Sequence, residues 1–391
     1  MKEFESPLNK LSSHDLEHLV AGPEEDESIR QLLRETEMPG SVSLTFEREP
    51  SFFEASTVEG DTHQTYAVRE PHTHRIVGMG SRADFVAWIN GEQRKIGYYS
   101  QMRVAREYQK KRGVPVRSFE LSLKLYQKET DPPPFFITTI IEDNIAARRY
   151  LGSNRVKGFP TYHEREVFST LALPLSRRRI LSRNFSTKMR DFKIRSATFS
   201  DLSQIVQCLQ RNGKRFQFTP VWTEQNLVDP LRCRGLRIED FFVAVQNGAI
   251  VGCLAIWNQM AFKQSVVRGY SGWMRVARPL INIFGPLLGL PKLPDIGCVF
   301  PHAYLSHIAI DDLNEDVFIT LVSAAHRFSL DKGWSYLALG FSERNPLLQA
   351  VKKHFRVMEY RAVLYTANWP GKESEVEKID GRIAHPELAM L

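Results

Sequence analysis

The stretch that decides the fold runs from Gly97 to Arg117 and reads G-Y-Y-S-Q-M-R-V-A-R-E-Y-Q-K-K-R-G-V-P-V-R. It predicts a strand that ends at Val104, followed by a basic loop with a single glycine. We expect a helix to begin near Pro115, because proline is favoured in the first turn of a helix. The start of a helix offers free backbone N–H groups and a partial positive charge. Together with the cations of the loop, this arrangement predicts a binding site for a diphosphate.

The segments around this stretch predict alternating strands and helices. The Asn90-Gly91 pair separates Phe85–Ile89 from Lys95–Val104, and such a pair between apolar-alternating runs is a strong signal of a hairpin. Separate upstream strands are predicted at Ser41–Phe46, Tyr66–Arg69 and Arg75–Gly80. Downstream, the pattern predicts a helix, a buried strand and a second helix at about Val116–Gln127, Phe135–Ile141 and Asn144–Leu151.

The second half of the chain repeats this order of elements. Tyr304–Ile310 corresponds to Tyr98–Val104, and Tyr336–Asn345 corresponds to Phe135–Asn144. An insert at about 261–298 is specific to the second copy. Its apolar residues predict either a cover over a cleft or core packing, the usual reason for apolar residues at helical spacing; they are Trp273, Leu280, Ile283 and Leu287. Helices interleaved with strands indicate an α/β (α+β) fold built from two similar units, each a mixed sheet flanked by helices.

These patterns divide the chain into two domains with flanking segments. The first domain spans 25–175 and the second spans 192–370. An N-terminal extension (1–24), a basic linker (176–191) and a C-terminal tail (371–391) complete the chain. The linker carries Arg177, Arg178, Arg179 and Arg183. Short basic runs are common on solvated surfaces, and contact with nucleic acid is the alternative interpretation.

Composition indicates a globular protein with a preference for anionic partners. A chain of 391 residues is comfortable for two domains. Hydrophobic residues at 42% and charged residues at 25% argue against disorder and against a polytopic membrane protein. The formal net charge of +7 favours phosphorylated molecules, nucleic acid or a membrane face. Four widely spaced cysteines without a Cys-x-x-Cys pair, and the lack of a visible signal peptide, predict a cytoplasmic setting and no metal site.

The segment after Val104 resembles a motif of the GCN5-related N-acetyltransferase (GNAT) family. In that family, a strand ending in Val is followed by x-Pro-Glu-Tyr and then by Arg/Gln-x-x-Gly-x-Gly/Ala at the start of a helix. Here Val104, Glu107, Tyr108 and Gln109 match directly. Gly113 matches the first glycine with a shift of one residue, and Pro115 then takes the place of the second small residue. Because proline lacks an N–H, one donor to the phosphates is lost.

A second segment strengthens the resemblance. Asn144-Ile-Ala-Ala147 is similar to the family's Asn-x-x-Ala, where the Asn lies beside the pantetheine arm. A tyrosine seven residues beyond that Asn often protonates the leaving thiolate. In this chain the seventh position is Leu151, and Tyr150 comes one residue earlier. One residue corresponds to about 100° of helix rotation, so Tyr150 is a displaced candidate for the general acid.

The resemblance implies two tandem GNAT-like domains that transfer an acyl group, with acetyl-CoA or another acyl-CoA as co-substrate and an amine as acceptor. It implies that backbone N–H groups between two splayed strands, near Gln101–Val104 and Ile137–Ile141, hold the thioester carbonyl. Catalysis would involve Tyr150, Glu142 and Gln101, with Ser100 nearby, although Glu142 is equally an ordinary acid at a helix start. The CoA-binding residues implied are Met102, Arg103, Val104, Gln109, Lys110, Lys111, Arg112, Gly113, Val114, Val116, Asn144 and Ala147.

The second copy lacks this loop chemistry. An acidic turn follows Ile310, with Asp311, Asp312, Glu315 and Asp316 and no basic residue or glycine. Such a turn caps a helix well. It repels phosphates, since two like charges about 6 Å apart cost roughly 3 kcal/mol at an effective dielectric near 20. We therefore expect a second domain that has the fold without the CoA site.

Two alternatives to an N-acetyltransferase remain open at this stage. The imperfect loop and the displaced tyrosine permit a non-catalytic sensor of CoA or acyl-CoA. The positive charge permits a nucleic-acid-binding module, but no aromatic stacking motif accompanies the basic runs. The sequence favours an acyl-CoA and an amine as partners, without a membrane, and allows a homodimer.

Overall fold

The computed structural model describes residues 16–109, 113–152, 159–175, 191–288 and 290–391. The first half alternates strands with helices. Its elements are β1 (Glu17–Val20), α1 (Asp26–Glu35), β2 (Val42–Glu47), α2 (Phe52–Ser56), β3 (Thr62–Arg69), β4 (Ile76–Ile89), β5 (Glu92–Val104), α3 (Gly113–Tyr126), β6 (Phe136–Ile141), α4 (Ile145–Gly152) and β7 (Thr161–Pro174).

The second half repeats this order with additional elements. They are β8 (Lys193–Ser196), α5 (Leu202–Gly213), β9 (Thr219–Pro220), α6 (Glu224–Val228), β10 (Phe241–Gln246), β11 (Ala249–Trp257), β12 (Gln264–Tyr270), α7 (Gly272–Phe284), β13 (His302–Ile310), α8 (Glu315–Ser329), β14 (Tyr336–Ser342), α9 (Pro346–His354), β15 (Met358–Asn368) and α10 (Glu373–Glu377).

The hairpin predicted at Asn90-Gly91 is present, and the second half has a matching hairpin at Asn247-Gly248. Asn90 and Gly91 have φ values of 56° and 84°, and Asn247 and Gly248 have 50° and 80°. Positive φ at both central residues is the turn that matches the right-handed twist of paired strands. One boundary was wrong: the separate strands expected at Arg75–Gly80 and Phe85–Ile89 are a single strand, β4, because the residues between them continue the ladder with β3.

One sheet runs through both halves. In the described part of the chain its main path has the order β1-β3-β4-β5-β6-β15-β7-β14-β13-β11-β10-β8, with β9 added beside β4. Most neighbours are antiparallel, whereas β5–β6 and β13–β14 are parallel. The mixed sheet with flanking helices confirms the predicted fold class.

The two halves exchange their last strands at the centre of this sheet. β15 of the second half lies between β6 and β7 of the first half. On its other side, β7 pairs with β14 of the second half. Each closing strand is therefore flanked by strands of the other half, and the backbone hydrogen bonds of the sheet join the halves.

Both terminal segments of the chain also contribute to this joined structure. In the N-terminal segment 1–24, strand β1 pairs with β3. Within the residues delimited as a C-terminal tail, Ala384 and Met390 are buried in a core cluster that also contains Phe85 of the first half and Ile205 of the second. The linker at 176–190 lies outside the described residues.

The insert of the second half attaches to the first half. Its strand β12 pairs with β2 in a separate two-stranded sheet. The expectation that its apolar residues pack in the core was wrong. Trp273, Leu280, Ile283 and Leu287 have exposed fractions of 66%, 57%, 65% and 59%. No helix in the described residues is both long and apolar enough to cross a membrane.

Candidate functional site

A cleft opens between the parallel strands β5 and β6. They pair at Gly97 with Phe136 and at Tyr98 with Ile137, and the recorded pairing ends there although both strands continue. A Cβ atom on Gly97 would lie 2.1 Å from the Phe136 ring, so glycine is needed where the strands meet. The strands therefore diverge after Ile137, which includes most of the segments in which splaying was predicted, 101–104 and 137–141.

A β-bulge lies in the wall of this cleft. Met79 pairs with Arg103 and Ser81 pairs with Ser100, which leaves two residues of β5 facing one of β4. Gln101, the first residue of the bulge, has a φ of 53°. Bulges interrupt the ladder and redirect backbone polar groups. Such a position suits a backbone N–H that must bind a ligand, as predicted for the segment that begins at Gln101.

The residues that match the family motif after β5 hold the loop in place. Glu107 pairs with Arg75 at 2.6 Å. The buried Tyr108 donates its hydroxyl to Glu70 at 2.5 Å. The Gln109 amide donates to the Val104 carbonyl at 3.3 Å, which closes the loop onto the end of β5. The predicted phosphate-binding cations Lys110, Lys111 and Arg112 lie outside the described residues.

The helix after this loop begins at Gly113, two residues before the expected start. Pro115 is within its first turn, where the missing N–H breaks no intrahelical hydrogen bond. Val114 is buried, and Val116 packs against an aromatic cluster that contains Tyr99 and Phe119. The loop and the first turn of α3 therefore stand at the open end of the cleft.

The other wall of the cleft ends at α4. The Asn144 side-chain oxygen accepts from the Ala147 N–H at 3.1 Å, so it caps the helix. Glu142 forms an ion pair with Arg361 of β15 at 3.1 Å. Because β5 and β6 are parallel, Asn144 and the loop after Val104 lie at the same edge of the sheet. The structure thus brings the two predicted groups of CoA-binding residues to one edge.

Tyr150, the candidate general acid, lies among aromatic side chains. Its ring meets Phe159 edge-on, with centroids 5.5 Å apart. Phe159 in turn packs against Phe119 of α3 at 4.5 Å. Leu151, at the position where the family motif places a tyrosine, is buried in the same cluster. The role of Tyr150 as an acid stays a prediction.

A pocket of about 510 Å³, a volume that includes the open space at its mouth, lies between α3 and strands β3, β4 and β5. Its lining is mainly apolar and includes Val68, Met79 and Phe119, together with four predicted CoA-binding residues, Met102, Arg103, Val104 and Val114. Gly80 of β4 also lines it, opposite the bulge. A Cβ atom on Gly80 would meet nothing within 4 Å, so the absence of a side chain there leaves open space.

Ser100, the residue before the bulge, connects the pocket with a buried group of charges. Its hydroxyl donates to Glu59 at 2.9 Å, and Glu59 also accepts from Arg48 at 3.4 Å. Burial raises the pKa of Glu59, but the charges of Arg48, His63 and Lys263 more than offset this and hold it below its usual value. Burial lowers the pKa of His63, whose imidazole lies 3.8 Å from the Glu59 carboxylate.

Two further buried groups come from distant parts of the chain. Lys263, at the start of the insert, donates to the Ala389 carbonyl at 3.0 Å. Burial, aided by Arg48, lowers its pKa to about 7. Burial raises the pKa of Glu387 to about 7. Sequence patterns missed Arg48, Glu59 and Lys263, because no motif links the first two with Lys263, which lies more than two hundred positions further along the chain.

The second half has the same bulge, but the bulge is occupied. His307 of β13 aligns with Gln101 and has the same φ of 53°. Its backbone N–H donates to the Glu387 carboxylate at 2.7 Å. The amide that would correspond to the carbonyl-binding amide of the first half is therefore already bound by a side chain of the chain itself.

The acidic turn after β13 is structural, as expected from its sequence. Asp311 accepts from Arg211 at 2.8 Å and from Asn212 at 2.7 Å, which ties the turn to α5. The Asn314 side chain accepts from the Val317 N–H and so caps α8. These contacts and the occupied bulge support the prediction that this half lacks a CoA site.

Comparison with known proteins relates the chain to others through structure. No family model matches its sequence, and no curated protein shows significant sequence similarity. Saccharomyces cerevisiae N-myristoyltransferase with bound myristoyl-CoA is similar with a TM-score of 0.57 at 15% identity, over 93% of this chain and 81% of that one.

Two other solved structures are similar at comparable identity. A GCN5-related N-acetyltransferase from Kribbella flavida has a TM-score of 0.50 at 12% identity, over 90% of this chain and 70% of that one. The glucosamine N-acetyltransferase region of a fungal multi-domain GH3 β-N-acetylglucosaminidase gives 0.56 at 11% identity, over 90% of this chain and 38% of that one. At these identities the likeness establishes the fold.

Proposed function

We propose that this chain, whose fold is a tandem GNAT-like fold, is an acyl-CoA-dependent N-acyltransferase. The observation that carries the proposal is the cleft between β5 and β6, with a bulge at Gln101 in its wall. The cleft combines a bulge that could bind a carbonyl oxygen with the first turn of α3 at its open end. In the second half the same bulge is filled by Glu387, so one site per chain is expected.

CoA would lie along β5 with its diphosphate at the loop. Lys110, Lys111 and Arg112 would supply positive charge, and the first turn of α3 would supply backbone N–H groups. Asn144, which caps α4, would border the pantetheine arm. In this arrangement the thioester carbon would lie next to the bulge.

The chemistry would be a direct transfer. The amine nitrogen attacks the thioester carbonyl carbon, and the oxyanion is held by backbone N–H at the bulge. Because the Ser100 hydroxyl donates to Glu59, its lone pairs are free to accept from the acceptor amine and orient it. Collapse of the tetrahedral intermediate forms the amide and releases the CoA thiolate, while the proton that the amine nitrogen loses passes directly or through water to the proposed acceptor, Glu142. Tyr150 is the proposed proton donor to that thiolate.

The length of the acyl group is the finer part of the proposal. The family resemblance favours acetyl. The mainly apolar lining of the pocket beside the bulge supports acceptance of a longer chain, since burying each CH₂ contributes about 0.8 kcal/mol. We propose that the pocket receives the acyl chain and that its volume limits the length.

Calorimetric titration with CoA tests the binding part of the proposal. Arg112→Glu should weaken CoA binding by at least about tenfold, because it reverses one charge at the diphosphate. Asp312→Lys, a matched charge reversal in the acidic turn of the second half, should leave the affinity unchanged. Equal effects of the two substitutions would refute the assignment of the site to the first half.

Thiol release from acetyl-CoA and longer acyl-CoA thioesters, measured with a panel of amines, tests the catalytic part. Consumption of thioester that depends on an amine supports the transferase. Tight binding of acyl-CoA without turnover on any amine would instead support the sensor. Failure of CoA to bind would overturn both interpretations.

A further inference from the structure

Helix α7 of the insert presents its apolar residues to solvent. Trp273, Val276 and Leu280 are 66%, 76% and 57% exposed. Ile283 and Phe284, one turn further on, are 65% and 53% exposed. A soluble protein rarely exposes a contiguous apolar patch of this size without a use for it.

These five side chains form one stripe. At 100° per residue they fall within an arc of about 100° on the helix surface. In α1 and α5 the comparable apolar residues, such as Leu32 and Ile205, are buried against the sheet. Helix α7 therefore has the amphipathic pattern of a core helix, but its apolar side faces solvent and not the sheet.

Contacts on the polar side of α7 fix this orientation. The Asn282 side chain donates to the Leu293 carbonyl at 3.0 Å and accepts from the Leu293 N–H at 2.7 Å. Arg278 forms an ion pair with Asp295 and lies over the ring of Tyr270. The polar side thus faces the rest of the insert, and the apolar stripe faces outward.

The charges around the stripe have one sign. Between Gln264 and Pro294 the chain has four cations and no carboxylate. Arg268 and Arg278 pair with Glu47 and Asp295. Arg275 and Lys292 are exposed, and among the described residues no carboxylate is recorded within 4 Å of either. The charges of this segment of the insert are therefore predominantly cationic.

We propose that α7 docks the protein on an anionic lipid bilayer. The helix lies in the plane of the interface, with the stripe at the level of the acyl-chain boundary and Arg275 and Lys292 among the headgroup phosphates. This is the arrangement of an amphipathic helix with apolar residues on one side and cations beside them. It goes beyond the proposed function, and it departs from the expectation of no membrane partner.

Charge favours lipid over a second copy of this chain. Two copies joined through this stripe would bring two cationic insert segments close to each other, and like charges repel. An anionic headgroup layer instead attracts each such cation by about 1 kcal/mol. Burial of the apolar stripe adds to that attraction.

Sedimentation of the full chain with vesicles tests the proposal. We expect binding to vesicles of phosphatidylcholine with phosphatidylserine, and weaker binding to phosphatidylcholine alone or in high salt. The double substitution Leu280→Asp and Ile283→Asp should weaken binding by at least about tenfold. Arg275→Glu should weaken binding to the anionic vesicles only.

Leu231→Asp is the matched control, since Leu231 is 56% exposed but lies outside the insert; it should bind vesicles like the parent chain. All the substituted side chains are exposed, so folding should be preserved, and circular dichroism checks this. Absence of binding, or equal binding of the double variant, would overturn the proposal. So would a dimer in lipid-free solution that the double variant dissociates, because the stripe would then be a contact between copies.

Discussion

At the scale of single residues, Ser100 has the most informative environment in the cleft. Its position beside the bulge follows from the register of β4 and β5, and its hydroxyl is oriented by Glu59. A carboxylate whose pKa is lowered is a weak base, so Glu59 acts by holding Ser100 rather than by accepting the amine proton. The Ser100–Glu59 pair is a positioning device in this mechanism.

This role makes Ser100→Ala an informative substitution. We expect the kcat for amine acylation to fall by about ten- to a hundredfold, because the amine loses its hydrogen-bond acceptor beside the thioester. The KM for acyl-CoA should change little, since Ser100 is not among the residues proposed to bind CoA. Steady-state thiol release measures both constants.

Ser118→Ala is the control for that substitution. Ser118 lines the same pocket, but its hydroxyl donates to the Val114 carbonyl within α3 at 3.1 Å. We expect it to keep the parent kcat. If Ser118→Ala lost as much activity as Ser100→Ala, the effect would come from the pocket in general and not from the hydroxyl beside the bulge.

At the scale of elements, the spacing between α3 and β4 determines the volume of the pocket. Gly80 leaves space on β4 opposite the bulge, and its φ is not among the positive values of the described glycines. A larger side chain can therefore be placed there without backbone strain. The pocket therefore results from the packing of α3 on β4, and its open space depends on the missing side chain of Gly80.

Gly80→Leu should shorten the accepted acyl group. We expect kcat/KM for long-chain acyl-CoA to fall by at least about tenfold, because the added side chain fills the space that the chain would occupy. The value for acetyl-CoA should stay within about threefold of the parent. Gly381→Leu, where the added Cβ also meets nothing within 4 Å but lies outside the pocket, is the control. Equal losses for short and long acyl groups would contradict this use of the pocket.

At the scale of the whole molecule, strand exchange makes the two halves one structure. The closing strands β7 and β15 are each flanked by strands of the other half. The last residues of the chain then cross back to the second-half bulge, where Glu387 binds the His307 amide. This closure buries ionisable groups, so the stability of the whole chain depends on pH.

The sign of that dependence follows from the buried groups. Burial lowers the pKa of His385 to about 4, and burial with Arg232 lowers that of His307 to about 3. Below the unfolded pKa of 6.5, these histidines bind protons in the unfolded chain before they do so in the folded chain. They therefore support stability fully above pH 6.5, and this support is lost as pH falls towards about 4 and 3. Burial raises the pKa of Glu387 to about 7, so its contribution is full below 4.5 and is lost as pH rises through 7.

The free energy of unfolding should therefore fall on acidification from about pH 7 to about pH 5. Over this range each of the two histidines lowers the free energy of unfolding by up to about 2 kcal/mol. Protonation of Glu387 in the folded chain raises it by about the amount that one histidine removes. Glu387→Gln removes the offset, so its loss on acidification should be steeper by roughly 2 kcal/mol. Urea denaturation at both pH values measures the difference. An equal or shallower loss in the variant would contradict the assigned direction.

Local patterns in the sequence were sufficient to predict the hairpins, the duplicated order of elements, the fold class and the capping role of the acidic turn. Turn residues such as Asn90 and Gly91 act over a few residues, and so they can be recognised without the rest of the chain. The opening of β5 away from β6 was predicted from the family resemblance instead. The predicted CoA-binding and catalytic residues still await an experiment.

Only the tertiary structure revealed the exchange of β7 and β15, the Ser100–Glu59 pair, the filled bulge at His307 and the outward orientation of α7. Each depends on contacts between residues far apart in the chain. Periodicity shows that a helix has an apolar side, but the direction of that side is set by what packs around it. For the same reason, the sequence of α7 predicts a core helix, whereas its contacts through Asn282 and Arg278 turn the stripe to solvent.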